Sequence, residues 1–123
     1  MNNTIAQIRS EFALEQIQTL KGDKKSKEEF GKLVAGLPAM VLQNGFGHTL
    51  AFLLAKGTDK HTQAFEIIVK WLKNRRLVSN TSAEVSVKEL STMPQSQYVM
   101  AQNEALEVLE WVKRYANAGL FLK

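Results

Sequence analysis

The sequence predicts an all-α fold: a single-domain bundle of about five to six helices across residues 1–123, packed around a buried central helix at about 38–56. Three observations predict it. Apolar residues recur at three- and four-residue spacing in segment after segment. No stretch alternates as a half-buried strand should. One nineteen-residue run, LPAMVLQNGFGHTLAFLLA (37–55), carries no charge at all in a chain that is 23% charged. At 123 residues and 45% hydrophobic content the chain is long enough to bury one real core without staples.

The first helix is read from TIAQIRSEFALEQIQTL, where Ile5, Ile8, Phe12, Ile17 and Leu20 fall close to one stripe and Arg9, Glu11 and Glu15 fall off it. Asn3 or Thr4 caps its start and Gly22 stops it. The mixed-charge run KGDKKSKEE reads as a solvated loop, with Ser26 as the N-cap of a short helix over 27–36 and Glu28 and Glu29 in its first turn. Pro38 then breaks or kinks the chain, because proline has no N–H to donate and restricts the residue before it.

Three structures compete for the neutral run. A membrane span is spoiled by Gln43, Asn44, His48, Thr49 and two glycines. A hairpin is suggested by Asn44-Gly45, but MVLQ and FGHT do not alternate around it. A helix buried on nearly all sides fits best, with Leu42, Phe46, Leu50 and Leu53 or Leu54 in line and Gly45 and Gly47 where another helix crosses closely. Lys56 and Gly57 end it.

The segment DKHTQAFEIIVKWLKNRRLV begins at Asp59 as cap and turns Ala64, Ile67, Ile68, Trp71 and Leu72 to the core, with Arg75 and Arg76 in its last turn. After the polar SNTSAEVS comes a short helix at VKEL and a break at Met93-Pro94. The last helix is long, with Ala101, Ala105, Val108, Leu109, Val112 and Ala116 as its stripe, Tyr98 and Trp111 at the flanks, and a Glu110–Arg114 pair at helical spacing.

Catalytic apparatus is not visible. There is no cysteine, hence no disulfide, no thiolate nucleophile and no cysteine-held metal. His48 and His61 share no turn, and His48 reads as a satisfied core or interface histidine within the neutral run. Glu104, Glu107 and Glu110 lie three residues apart without a partner carboxylate–histidine motif, which reads as a solvated face. NGFG lacks the Lys-Ser/Thr of a phosphate loop. The expectation is a protein that is not an enzyme, with no cofactor and no metal. No secretory signal or membrane anchor is visible, so residence in the cytoplasm is expected.

The formal charge of +4 is unevenly placed: residues 38–80 hold six Lys/Arg against two Asp/Glu, while the flanking thirds nearly balance. This leaves two functions open, a nucleic-acid-contacting subunit and a helical adaptor that scaffolds a complex without touching nucleic acid.

The neutral run is similar to the hallmark of a known family, the small α-helical subunit of the type III-B (Cmr) CRISPR effector complex. The resemblance rests on Leu37-Pro38-Ala39, Asn44-Gly45 and the close Ala51-Phe52-Leu53-Leu54-Ala55-Lys56, preceded by Phe30-Gly31. A second block, Tyr98 followed by NEALEVLEWVKRYANAGL, resembles the family's closing helix with its Trp111 and basic pair, and a helical segment ending in Trp71-Leu72 lies between. The resemblance implies a non-enzymatic subunit in antiviral defence. It would stack with further copies of itself and other Cmr subunits along a ribonucleoprotein filament, contacting guide RNA and target RNA while other subunits cut.

The RNA-contacting residues are expected from charge placement: Lys56, Lys70, Lys73, Arg75, Arg76, Lys113 and Arg114, acting on phosphates rather than bases. Arg75-Arg76 is the sharpest pair, because two adjacent arginines exceed what a helix end requires. Lys113 and Arg114 equally fit dipole complementation and the Glu110 pair. Trp71 and Trp111 adjoin apolar stripes and read as core. The adaptor alternative would place assembly on apolar tail residues, Phe121 and Leu122.

Overall fold

The computed structural model describes residues 2–121, which form six helices and no strand among the described residues. They are α1 (Ile5–Gln18), α2 (Lys24–Asn44), α3 (Phe46–Lys56), α4 (Asp59–Asn74), α5 (Ala83–Thr92) and α6 (Gln95–Asn117). The all-α class and the long closing helix stand as the periodicity predicts. The interior of the neutral run does not.

Positions 38–56 are not one rod. Helix α2 runs straight through Pro38, and the break comes at Gly45 instead. Pro38 cannot donate to the Val34 carbonyl, a loss that costs about 3 kcal/mol in an isolated helix. Here Val34, Leu37, Pro38 and Val41 are all buried, and their packing outweighs the local penalty. Gly45 has φ 96° and ψ 156°, a backbone conformation open to glycine and strained for other residues. Its N–H closes α2 on the Val41 carbonyl at 2.9 Å, and its own carbonyl accepts from the Thr49 N–H at 3.1 Å to open α3. The Asn-Gly step is therefore a real breaker, between two helices rather than two strands.

The elbow resets the helical phase. Phe46, Leu50 and Leu53 face the core, whereas Leu42 is 70% exposed and Ala51 and Leu54 also face outward. The centre of the bundle falls instead to α4, where Ala64, Phe65, Ile67, Ile68, Val69, Trp71 and Leu72 are buried. Helix α6 packs along α1, α2 and α4. Its end lies against the start of α2, where a Cβ on Gly31 would stand 3.6 Å from the Ala116 Cβ. Its start lies against the start of α3, where the Tyr98 hydroxyl accepts the Gly47 N–H at 2.8 Å and a Cβ on Gly47 would stand only 3.2 Å from that oxygen. Gly47 thus serves the close approach expected of it.

Caps shift by a few residues from their sequence positions. Thr4 makes a full capping box with Gln7 at the start of α1. Asp23, not Ser26, caps α2: its carboxylate accepts the Ser26 N–H at 2.8 Å, and the same hydrogen bonds hold its pKa below the ordinary aspartate range. Residues 24–29 of the mixed-charge run are consequently the first turns of α2, and only residues 21–23 remain outside the helix. Thr58 precedes α4, and Asp59 is its first helical residue. In α1, Ile8 is exposed, while Arg9 is largely sequestered.

Candidate nucleic-acid interface

The seven expected cations divide into three places. Lys56 ends α3 with its Nζ 5.9 Å from the Phe52 ring centroid, at the start of α4. Lys70, Lys73, Arg75 and Arg76 gather at the other end of that helix, whose 16 residues span about 24 Å. Lys113 and Arg114 lie near the end of α6, and Arg114 is tied to Glu110 at 3.8 Å, the helical pair the spacing predicts. The fold brings together four of the seven.

Within that group the two arginines differ. Arg75 caps α4 and turns back toward α6, its Nε 3.9 Å from Glu104 with the side chain 41% exposed. Glu104 is no part of a solvated face: its side chain is 14% exposed, it receives the Trp71 indole N–H at 2.9 Å, and it receives an Arg9 guanidinium N–H at 3.0 Å. Arg9 also lies 3.7 Å from Glu107. One carboxylate thus ties α1, α4 and α6 together beneath the cationic end. Nothing in the spacing of Glu104, Glu107 and Glu110 distinguishes the buried member; the apolar neighbours Ala101 and Ala105 on α6 are the only hint.

Arg76 has φ 61°, the one non-glycine residue with positive φ among the described residues. The end of α4 is a Schellman turn: the Arg76 N–H bonds the Lys73 carbonyl at 2.9 Å and the Leu77 N–H bonds the Leu72 carbonyl at 2.8 Å. Its pivot position favours glycine, and an L side chain there costs about 1 kcal/mol. Arg76 is therefore not in the last turn of the helix, where the sequence places it, but just beyond. Its side chain is exposed and, among the described residues, neither Arg76 nor Lys73 forms an ion pair.

Two clefts flank these cations. One, between α1 and α4, is bordered by Lys70, Lys73 and Arg75 with Glu11 and Glu15 opposite. The other, of about 620 Å³, is lined by Lys73, Arg76, Ser79, Glu89 and Gln97. A third cleft of about 860 Å³ joins the start of α2 to the end of α6 and is lined by Lys24, Lys27, Lys32, Asp23, Glu28 and Phe121. Its lysines escape a reading by net charge because the acids are interleaved with them. Phe121 packs against the core rather than forming an exposed tail, and Leu122 lies outside the described residues.

His48 does not hold the core position, one of the two expected of it. His48 is exposed on α3, because the elbow turns that position outward. His61 is buried, with its Nδ1 2.6 Å from the Thr58 hydroxyl and the Phe52 ring edge-on at 5.5 Å. Burial, reinforced by the charges of Lys60 and Lys56, lowers its pKa from the ordinary 6.5. No group of three or more His, Cys, Asp or Glu side chains is placed to hold a metal ion among the described residues. None of the described helices is long and apolar enough to cross a membrane.

A family model described as CRISPR-associated protein (Cas_Cmr5) matches residues 5–119, all six helices. The chain belongs to that family. A protein named CRISPR system Cmr subunit Cmr5, from Thermus thermophilus, is 28% identical over 116 residues, covering 94% of this chain and 95% of the relative. One of the same name from Thermotoga maritima is 27% identical over 105 residues, covering 85% of this chain and 76% of the relative. The crystal structure of a CRISPR-associated Cmr5 family protein, also from Thermus thermophilus, superposes with a TM-score of 0.75 at 25% identity, covering 95% of this chain and 97% of that one. The resemblance drawn from the neutral run and the closing helix is thereby borne out, although the run is an elbow rather than a rod.

Proposed function

We propose that this Cmr5-family chain is the small, non-catalytic subunit of a type III-B Cmr effector complex, stacked with further copies of itself beside the other subunits. In that setting Lys70, Lys73 and Arg76 at the end of α4 hold guide–target RNA by its phosphates, with Arg75 a secondary contact because Glu104 already engages it. Lys56, Lys113 and Arg114 stand apart from this group and serve a different stretch of backbone or none.

The observation that carries the RNA assignment is Arg76, an unpaired arginine at a position where glycine would be more stable. Strain of this kind is retained where the side chain has work to do. Phosphate contact needs no base readout, which matches a site made of lysine and arginine without exposed aromatic rings: Trp71 is buried. Crosslinking RNA to the subunit in the assembled complex tests it. The Lys73→Glu/Arg76→Glu variant is expected to assemble but lose most of the crosslink, and an undiminished crosslink would remove the assignment.

Exposed apolar side chains favour a second reading, the protein-only adaptor. Leu42 on α2 and Val99 and Met100 on α6 are large apolar side chains exposed to solvent. On that reading Leu42→Ser abolishes assembly, and the charge reversals do nothing.

A further inference from the structure

Helix α5 is the least embedded of the six. It packs mainly against α3 and buries only Ser86 and Leu90. Its chain enters from the 75–82 loop and leaves at Met93-Pro94. A second attachment comes from Glu89, whose Oε1 accepts the Ser79 N–H at 2.9 Å and whose Oε2 accepts the Ser79 hydroxyl at 2.6 Å. Both oxygens of one carboxylate are thus held by a backbone N–H and a hydroxyl of a single residue. The same donors are suited to two oxygens of a phosphodiester.

This pair sits in the 620 Å³ cleft that Lys73 and Arg76 also line. The cleft therefore contains two cations without ion-pair partners among the described residues, a ready pair of anion donors, and one internal anion occupying those donors. The Ser79 hydrogen bonds hold the Glu89 carboxyl below the usual glutamate range, which keeps the occupant charged.

We propose that Glu89 is a place-holder for an RNA phosphate: a backbone phosphate drawn in by Lys73 and Arg76 takes over the Ser79 N–H and hydroxyl, and the displaced Glu89 releases α5 from the loop. The inference rests on the RNA-contact reading above and adds a competing internal ligand and a movable helix to it. An empty cleft would leave the donors to water; an occupied one sets a threshold that only a phosphate backed by both cations passes.

The test measures binding of a labelled RNA duplex to the full-length chain at low salt. Glu89→Gln removes the charge with little change of shape, and Glu89→Ala removes the occupant. Both are expected to bind about fivefold tighter, the effect of one unit charge about 4 Å from a phosphate in an open cleft with the dielectric of water. Glu84→Gln, the same charge change in the first turn of α5, is expected to bind within about twofold of wild type, since a more distant charge is screened. In wild type, RNA is expected to speed amide hydrogen exchange in residues 83–92. Unchanged affinity in both Glu89 variants, an equal gain in Glu84→Gln, or slower exchange in α5 would overturn the place-holder. Lys73→Glu/Arg76→Glu separates the two failures. If it binds as wild type does, the RNA reading falls and this inference with it. If it binds weakly while both Glu89 variants match wild type, the place-holder alone falls.

Discussion

The ends of α4 and α6 are the same turn built from different residues. Each closes with paired 5→2 and 6→1 hydrogen bonds, from Arg76 and Leu77 in one and from Gly119 and Leu120 in the other. At the pivot of the α6 turn stands Gly119 with φ 72°, and at the pivot of the α4 turn stands Arg76 with φ 61°. Helix α3 also ends on a left-handed glycine, Gly57. The chain uses glycine where only geometry is at stake and arginine at the one end where uncommitted cations collect. On the proposed function, the same turn serves as a structural terminus at Gly119 and as one retained for its side chain at Arg76.

The largest expected effect breaks the link between the two helices. Glu104→Ala leaves the Trp71 indole N–H and most of the Arg9 guanidinium without a carboxylate, and is expected to cost about 2–4 kcal/mol, read as a lower urea midpoint. If the cost stays within about 0.5 kcal/mol, on the order of an exposed pair, Glu104 is no tether. Exchanging the pivots comes next. Gly119→Arg is expected to lose up to about 0.5 kcal/mol and gain no RNA contact, and Arg76→Gly to gain a similar amount, since the strain of about 1 kcal/mol is in each case partly offset by the greater freedom of glycine in the unfolded chain. Equal and opposite changes would show that the two turns are equivalent in strain. A loss of stability in Arg76→Gly would show that the arginine has a structural partner.

The smallest effect lies at the other end of α4 and concerns pH. Burial, and then the charges of Lys60 and Lys56, lower the pKa of His61 in the fold, so the unfolded chain takes up a proton more readily than the folded one. Stability is expected to be full above pH about 6.5 and to decline as the pH falls below it, by an amount that His61→Gln removes. A profile unchanged by that substitution would place the titration elsewhere.

Much of the fold was legible because periodicity reports which face of a helix is buried, and it did so for α4 and α6 nearly residue by residue. The elbow was misplaced for a physical reason. Proline's local penalty is visible in any sequence, but the packing that outweighs it at Pro38 is not. The break at Gly45 sets Phe46 into the core beside Tyr98 of α6, ring centroids 6.0 Å apart, and that distant partner is not legible from the local sequence. For the site, the cluster Lys70, Lys73, Arg75 and Arg76 follows from adjacency along one helix. The division of labour between Arg75 and Arg76 does not, because it depends on a carboxylate from a distant helix at the first and on a backbone angle at the second. The Ser79–Glu89 pair joins a loop to the middle of the next helix and carries no periodic signature.

On the proposed function, Arg76 stands in a left-handed turn because RNA phosphate needs its charge. The measurement that tests it most directly is the affinity for an RNA duplex, titrated across several salt concentrations, of wild type, Arg76→Gly and Arg76→Lys. Arg76→Gly is expected to bind several-fold more weakly with a logarithmic salt slope shallower by about one, and Arg76→Lys to keep the wild-type slope. An Arg76→Gly chain that matches wild type in both affinity and slope would contradict it.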